Sequence, residues 1–286
     1  MDAEPGGDAA ALAAAVAITR EAGQILLQHR GRVGIESKGE ADLVTAADRA
    51  SEAHITSRLR AAFPSHAIVA EEGSRSDGDG SACWYVDPLD GTTNFAHGLP
   101  LFAVSLGLER AGAIVAGVVY NPVLDEMFTA RRGQGALLNG SPIHVSDVRQ
   151  IRDALLATGF PSRKRQQNPN IHFYQHFSLV SHGMRRLGAA ALDLCYTACG
   201  RFGGFWEFGL QPWDVAAGGL IVTEAGGEVT DMRGAVHQLR SPDILASNGH
   251  LHPGLLRDFA ALFAGRTPPL PDPAAYRPLP AGEAGR

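Results

Sequence analysis

Two aspartates three residues apart follow an apolar run and precede a glycine. They are Asp87 and Asp90, within the segment Trp-Tyr-Val-Asp-Pro-Leu-Asp-Gly-Thr-Thr-Asn-Phe at residues 84–95. Pro88 stiffens the link between the acids, and Gly91 frees the backbone to turn into a helix N-terminus that suits a phosphate group. Because two acids beside a phosphate would repel it, hard cations such as Mg²⁺ are expected between them. The alternative is that both aspartates only cap a turn.

Further acidic residues stand where they could complete such a cation site. Glu71 and Glu72 follow a strand-like run, and Asp214 stands at the expected start of an apolar helix. Taken singly, the glutamates are typical of a solvated loop, and Asp214 is typical of an acid that stabilises a helix N-terminus. Taken with Asp87 and Asp90, they favour a site at strand ends to which distant parts of the chain contribute.

Composition and charge are those of an ordinary globular protein. Of the 286 residues, 45% are hydrophobic and 19% are charged, and the formal net charge is -5. The densest basic run, at 163–165, has no interleaved aromatic residues, so direct nucleic-acid binding is not expected. The three cysteines lack CxxC spacing, which argues against a zinc site or a disulfide framework and fits a cytoplasmic protein.

The N-terminal region predicts neither a signal peptide nor a membrane anchor. The alanine-rich stretch at 9–17 has no basic residues before it, which excludes the signal-peptide pattern. We expect no run to reach the ~20 apolar residues that a membrane span needs. A soluble protein with no membrane partner is therefore expected.

Helix and strand patterns alternate along the chain and predict layered α/β structure. Asp8 is the expected N-cap of the first helix, and the strands at 102–109 and 114–120 are expected to form a hairpin. The predicted helices cover about 8–30, 47–63, 170–182, 189–198, 212–225 and 253–263. The predicted strands cover 67–70, 83–86, 102–109, 114–120, 127–130, 136–138, 155–158, 202–208, a stretch around 229, and 244–247.

Four short segments resemble the signature motifs of the inositol monophosphatase family, in the family's order and at similar spacing. They are Asp-Leu-Val-Thr-Ala-Ala-Asp at 42–48, Ala-Glu-Glu-Gly at 70–73, the segment at 87–95, and Pro-Trp-Asp-Val-Ala-Ala-Gly at 212–218. The resemblance runs from about residue 12 to residue 263. It implies a Mg²⁺-dependent phosphatase of small sugar or polyol phosphates, inhibited by Li⁺.

The resemblance also assigns metal ligands. It implies that the carboxylates of Glu71, Asp87, Asp90 and Asp214 and the carbonyl of Leu89 hold Mg²⁺, with Asp87 bridging two metals. Glu72 would be a neighbour that does not ligate. In this chemistry, metals clamp the phosphate, acidify a water for in-line attack and stabilise the leaving alkoxide.

Further catalytic roles follow from the same resemblance. Thr92 and Asp48 are implied to orient and deprotonate the attacking water, with Glu71 counted among the catalytic residues. Gly91, Thr92 and Thr93 occupy the phosphate-binding turn. Lys38 falls near a basic residue of a mobile loop that closes the site, and the following Gly39 and Glu40 depart from the pattern of that loop.

Substrate contacts are implied in the second half of the chain. Glu207 matches a glutamate that contacts ring hydroxyls in inositol-type enzymes, and Asp214 is also a substrate contact. Gly188, Ala189, Ala190 and Asp193 lie where those enzymes approach the ring, and Ala189 replaces a Ser or Thr of many relatives. The segment at 185–194 resembles bacterial inositol-1-phosphatases more than nucleotide-directed relatives. Histidinol phosphate and fructose-1,6-bisphosphate remain alternative substrates, and Glu207 could instead be an edge-strand charge.

The family implies a five-layered αβαβα sandwich built from an α+β half and an α/β half. We expect the first half at 1–148 to carry most metal ligands and the second at 149–265 to carry Asp214 and the substrate contacts. Residues 266–286 are expected to form a proline-rich mobile tail. The resemblance implies a homodimer. Some bacterial relatives also act with the transcription machinery, but the intact ligand set argues against a role as a scaffold alone.

Overall fold

The computed structural model describes residues 7–31, 35–39, 42–160, 168–267 and 269, and for residues 35–39 and 42–45 it describes the backbone alone. The side chain of Lys38, residue Glu40, the basic run at 163–165 and most of the expected tail therefore lie outside the described part.

The described elements alternate along the chain as the sequence predicts. The helices are α1 (Asp8–His29), α2 (Ala46–Ala62), α3 (Thr92–Ala96), α4 (Asn170–Val180), α5 (Ala190–Ala198), α6 (Pro212–Glu224) and α7 (His252–Phe263). The strands are β1 (Ile35–Gly39), β2 (Asp42–Thr45), β3 (Ala67–Ala70), β4 (Arg75–Ser76), β5 (Cys83–Asp90), β6 (Ala103–Arg110), β7 (Ala113–Asn121), β8 (Glu126–Arg131), β9 (Ala136–Leu138), β10 (Ser141–Ile143), β11 (Leu155–Thr158), β12 (Gly183–Arg185), β13 (Gly204–Phe208), β14 (Glu228–Thr230) and β15 (Asp243–Ser247).

The predicted elements are confirmed to within a few residues, including the hairpin of β6 and β7. Strand β5 is longer than predicted because it continues through residues 87–90, the acidic segment, and ends at Asp90. Five strands were not predicted: β1, β2, β4, β10 and β12. Each has five residues or fewer and at most two adjacent apolar residues, so no continuous apolar run marks it as it marks β3.

Two expectations about α1 were wrong. Gly7 is its N-cap, and Asp8 is a first-turn acid. By length and composition, α1 is also apolar enough to cross a membrane. In the fold, however, one face of α1 is buried through Ala11, Ala15 and Ile18, and the helix contacts α2 and β7. These contacts are those of a core helix.

Two sheets form the framework of the protein. The first has the strand order β10-β9-β8-β7-β6-β5-β3-β4, and only β3 and β5 in it run parallel. The second has the order β12-β11-β13-β15-β14, in which β12, β11 and β13 run parallel. A parallel pair brings the carboxyl ends of β3 and β5 to the same edge, where Glu71 directly follows β3 and Asp90 ends β5.

Helices cover and separate the two sheets. One apolar core joins α1 and α2 to the first sheet, a second lies around α5 and α6, and a third joins the second sheet to α4 and α7. The layers therefore run αβαβα, as expected. The division of the chain near residue 148 remains a prediction, because α6 of the second half contacts β6 and β7 of the first sheet.

Close packing of α6 on the first sheet fixes the position of Asp214. A Cβ atom at Gly107 of β6 would lie 2.6 Å from the Ala216 side chain, and one at Gly117 of β7 would lie 2.9 Å from the Ala217 backbone. Larger residues at either glycine would push the helix away from the strands. These two glycines therefore hold the N-terminus of α6 near the end of β5.

Candidate active site

The end of β5 is irregular, and this irregularity places both aspartates. Asp87 pairs with Ser105 of β6, whereas Asp90 pairs with Ala103, so the register shifts between them. The Leu89 N–H donates to Asp87 Oδ1 at 2.9 Å, which turns the backbone locally. Such a bulge redirects side chains that would otherwise alternate across the sheet.

Gly91 makes the turn from β5 into α3. Its φ of 87° lies in the left-handed region, and a Cβ atom there would lie 2.9 Å from the carbonyl oxygen of Leu101. Both features favour glycine over any other residue. The turn brings Thr92 and Thr93 directly after the two aspartates, at the start of α3.

Thr92 is linked to Asp48 on α2. Thr92 Oγ1 lies 3.1 Å from Asp48 Oδ1 and 3.1 Å from the carbonyl oxygen of Leu89. A hydroxyl has one hydrogen to donate, so it donates to one of these acceptors at a time. Asp48 is fully buried, and its action on any ligand therefore has to pass through Thr92.

One cavity of about 160 Å³ collects nearly all the predicted site residues. Two of them, Asp48 and Ala189, are buried behind the lining instead. The lining residues are Glu71, Asp87, Leu89, Asp90, Gly91, Thr92, Thr93, Gly159, Phe160, Arg186, Gly188, Ala190, Glu207, Leu210 and Asp214. Residues more than 140 positions apart in the chain thus meet at one site, as the sequence predicts.

Acid carboxyl groups dominate the electrostatics of this cavity. Burial, followed by the charges of Glu71, Asp90 and Asp214, raises the pKa of Asp87 well above its ordinary value. Burial also raises the pKa of Asp214, although the Gln211 N–H partly opposes the shift. Several buried carboxylates can be ionised together only if a positive charge compensates them.

Asp90 is the best satisfied of these acids. Its two oxygens accept hydrogen bonds from the N–H groups of Ala190 at 3.1 Å and Ala191 at 2.8 Å. Burial raises the pKa of Asp90 to about 6, and these backbone donors lower it in part. Asp90 thus ties the end of β5 to the start of α5.

The donor set suits a hard divalent cation. Carboxylates from three parts of the chain and the Leu89 carbonyl supply only oxygen atoms, which Mg²⁺ prefers. Within the part of the chain that the structure describes, however, no three His, Cys, Asp or Glu side chains form a ready-made metal centre. Backbone N–H groups occupy oxygens of Asp87, Asp90 and Asp214. Because Mg²⁺ usually keeps several waters and takes only one or two carboxylates, the residues still fit it.

Glu207 approaches the cavity from β13 in the second sheet. It is buried, and a Cβ atom at Gly159 would overlap its carboxylate, so only glycine fits beside it. Burial and then the charge of Asp90 raise the pKa of Glu207 to about 8, whereas Arg186 lowers it. The carboxyl group of Glu207 therefore shares the cavity with the acidic segment.

The sequence did not identify four lining residues: Gly159, Phe160, Leu210 and Arg186. The first three have no chemical signature in the sequence. Arg186 has one, since it lies within the segment at 185–194, two residues before the first predicted substrate contact, and its guanidinium lies close to that residue, Gly188. Asp193 was expected near the substrate, but it is fully buried on α5 and is not part of the cavity lining.

Comparison with known proteins gives consistent results. Residues 8–263 match the model of the inositol monophosphatase family. The chain is 44% identical to Nus factor SuhB of Pseudomonas aeruginosa, covering 90% of this chain and 96% of that protein. It is 43% identical to the inositol-1-monophosphatase of Mesorhizobium japonicum, covering 87% and 92%.

A solved structure shares the fold. The extragenic suppressor protein suhB from Bartonella henselae superposes with a TM-score of 0.84 at 43% identity, covering 87% of this chain and 98% of that one. The family supports a phosphatase activity and is generally Mg²⁺-dependent. Fold, motifs and sequence similarity agree along nearly the whole length, and the chain belongs to the inositol monophosphatase family.

Proposed function

We propose that this protein is a Mg²⁺-dependent phosphomonoesterase that hydrolyses inositol-1-phosphate to inositol and phosphate. The observation that carries the proposal is the single cavity with the acidic segment and the Gly91 turn on one side and Glu207 on the other. This arrangement can hold both ends of a polyol phosphate at once.

The acidic side of the cavity would hold the metal and the phosphate. Glu71, Asp87, Asp90 and Asp214, with the carbonyl of Leu89, are the proposed ligands. When bound, Mg²⁺ would offset the phosphate charge and acidify a water molecule. The turn at 91–93 would contact the phosphate oxygens.

The Thr92–Asp48 pair would prepare the attacking water. When Thr92 Oγ1 donates to Asp48 Oδ1 over 3.1 Å, the lone pairs of the hydroxyl oxygen remain free to accept a hydrogen bond from water. As the water gives its proton to Thr92 Oγ1, the hydroxyl proton of Thr92 would pass to the Asp48 carboxylate. Asp48 holds the hydroxyl in that orientation from its buried position. Glu71, which also lines the cavity, completes the proposed catalytic group.

The other side of the cavity would recognise the polyol. Glu207 can accept hydrogen bonds from ring hydroxyls through its carbonyl oxygen and, while protonated, can also donate one, and Asp214 can accept from the neighbouring wall. Gly188 and Ala190 leave room for the ring, and Ala189 supports them from behind. The cavity of about 160 Å³ is below the ~300 Å³ at which ligand pockets usually begin, which favours a small polyol over a nucleotide.

Two other roles have a specific observation in their favour. Arg186 on the cavity wall could bind a second phosphate, which would favour fructose-1,6-bisphosphate, whereas histidinol phosphate rests on family likeness alone. The relative named Nus factor SuhB suggests an added role with the transcription machinery. A cytoplasmic homodimer without direct nucleic-acid binding remains part of the proposal.

A phosphate-release screen with Mg²⁺ tests the proposal. The substrates are inositol-1-phosphate, histidinol phosphate, fructose-1,6-bisphosphate, 3′-phosphoadenosine-5′-phosphate and NADP. We expect the highest kcat/KM for inositol-1-phosphate. A higher value for any other substrate would overturn the assignment, and a pull-down from lysate tests the transcription role separately.

A further inference from the structure

One face of α2 is bonded to the candidate site at three points. Asp48, Ser51 and Glu52 occupy positions i, i+3 and i+4, which lie on the same side of a helix. Thr92 of α3 bonds to Asp48, and Ser51 Oγ donates to the carbonyl oxygen of Pro88 at 2.9 Å. All three α2 residues are buried.

Glu52 makes the third connection, to the turn that carries Glu71. Its two carboxylate oxygens accept from the N–H of Glu72 at 2.7 Å and from the N–H of Ser74 at 3.0 Å. Only 4% of Glu52 is exposed, so these bonds are shielded from water. Hydrogen bonds from backbone N–H groups to a carboxylate are stronger than neutral ones.

Backbone hydrogen bonds hold the base of this turn, and one of them runs from the Gly73 N–H to the carbonyl oxygen of Ala70 at 3.4 Å. The Glu71 N–H donates to the carbonyl oxygen of Val86 at 3.1 Å, and the Ala70 N–H donates to that of Ser74 at 3.1 Å. These bonds fix the base of the turn on β5, whereas Glu52 fixes its far side. Without Glu52, the N–H groups at 72 and 74 would lose their acceptor, and the backbone next to Glu71 could rotate.

We propose that Glu52 is a positioning residue that orients the Glu71 turn and thereby sets the affinity of the site for its divalent cation. The inference rests on the proposed function, since it assumes that Glu71 is a ligand. Glu52 is absent from the cavity lining and acts through the turn at 71–74.

Three variants test this role. Glu52→Gln keeps the volume but replaces one acceptor oxygen by an NH₂ group, which cannot accept an N–H. Glu52→Asp keeps the charge but is one methylene too short to reach both N–H groups, which separates position from charge. Thr56→Val is the matched control, because Thr56 is buried one turn further along α2 and bonds only within that helix, to the Glu52 carbonyl at 2.8 Å.

Mg²⁺ binding is measured by isothermal titration calorimetry without substrate, and amide exchange at residues 71–74 is followed by mass spectrometry. Glu52→Gln should raise the Mg²⁺ dissociation constant about 10-fold or more, as is usual when a residue supporting a ligand is lost. Glu52→Asp should also weaken binding. Exchange at the Glu72 and Ser74 amides should become faster in both variants, and Thr56→Val should change neither quantity more than twofold.

The outcomes separate this inference from the proposed function. A wild-type protein that binds no Mg²⁺ would refute the proposed function. Normal wild-type binding, with Glu52→Gln within twofold of Thr56→Val, would overturn the role of Glu52, whatever the melting temperatures. Failure of both Glu52 variants to fold would assign the residue to the folding core and also overturn the proposal.

Discussion

Replacing Asp90 with asparagine should make the metal-free protein more stable at high pH while removing activity. Asp90 is buried, and its pKa is raised to about 6 from the usual 3.8. An acid with a raised folded-state pKa destabilises the fold when it is ionised, so the cost is full above pH 6 and vanishes below pH 3.8. A shift of this size corresponds to about 3 kcal/mol at pH 8.

The variant removes this cost but has a cost of its own. Asparagine has one acceptor oxygen, so one of the two N–H groups at Ala190 and Ala191 loses its partner, at about 1–3 kcal/mol. The cost of the lost hydrogen bond does not depend on pH. The change of the stability difference with pH therefore reports the charge of Asp90. Between pH 4 and pH 8, the free energy of unfolding of the variant relative to wild type should rise by about 2 kcal/mol.

Urea unfolding in EDTA, followed by circular dichroism at pH 4, 6 and 8, measures this difference. With saturating Mg²⁺ the order should reverse, because a cation that binds only the folded wild type stabilises it. If the difference in the free energy of unfolding between the two proteins stays constant from pH 4 to pH 8, the pKa of Asp90 is not raised in the folded protein. A folded Asp90→Asn protein with near-native kcat would show that Asp90 is not a ligand.

Three further predictions concern the substrate, lithium and the Gly91 turn. Glu207→Ala should raise KM for inositol-1-phosphate more than KM for a simple aryl phosphate, and equal effects would remove Glu207 from the substrate site. LiCl should inhibit at about millimolar concentration, uncompetitively with substrate and less at high Mg²⁺, because the acidic ligands could retain this small cation after the alkoxide leaves; matching curves with LiCl and KCl would contradict this. Gly91→Ala should lower the free energy of unfolding by about 1–3 kcal/mol, and more than the control Gly98→Ala, which has a similar φ of 75° but nothing within 4 Å of an added Cβ. Equal losses in thermal unfolding would refute the close contact with Leu101.

Local sequence patterns predict most of the fold because the segments are strongly apolar. β5 and α6 are recognisable from continuous apolar runs that end in acidic residues or begin at a proline. The expectation that no run is apolar enough to span a membrane was wrong for α1, because small residues such as Ala11 and Ala15 make the helix apolar while serving close packing. Composition alone does not distinguish these two uses of alanine.

The candidate site was predictable where its residues are adjacent in sequence. Asp87, Asp90 and Gly91 follow one another on a strand and its turn, so their proximity needs no tertiary information. The roles of Glu52 and Arg186 depend on contacts between distant elements, which no local pattern encodes. Asp193 is buried behind the lining, and burial, followed by the charges of Glu207 and Asp90, raises its pKa, so its place near the substrate stays a prediction.

The central claim is that a divalent cation held by the acidic cavity drives hydrolysis of a polyol phosphate. The most direct test is phosphate release from inositol-1-phosphate while Mg²⁺ is titrated into protein stripped with EDTA. We expect no release above the buffer control without Mg²⁺ and a saturable return of activity as Mg²⁺ is added. Full hydrolysis in excess EDTA would contradict it.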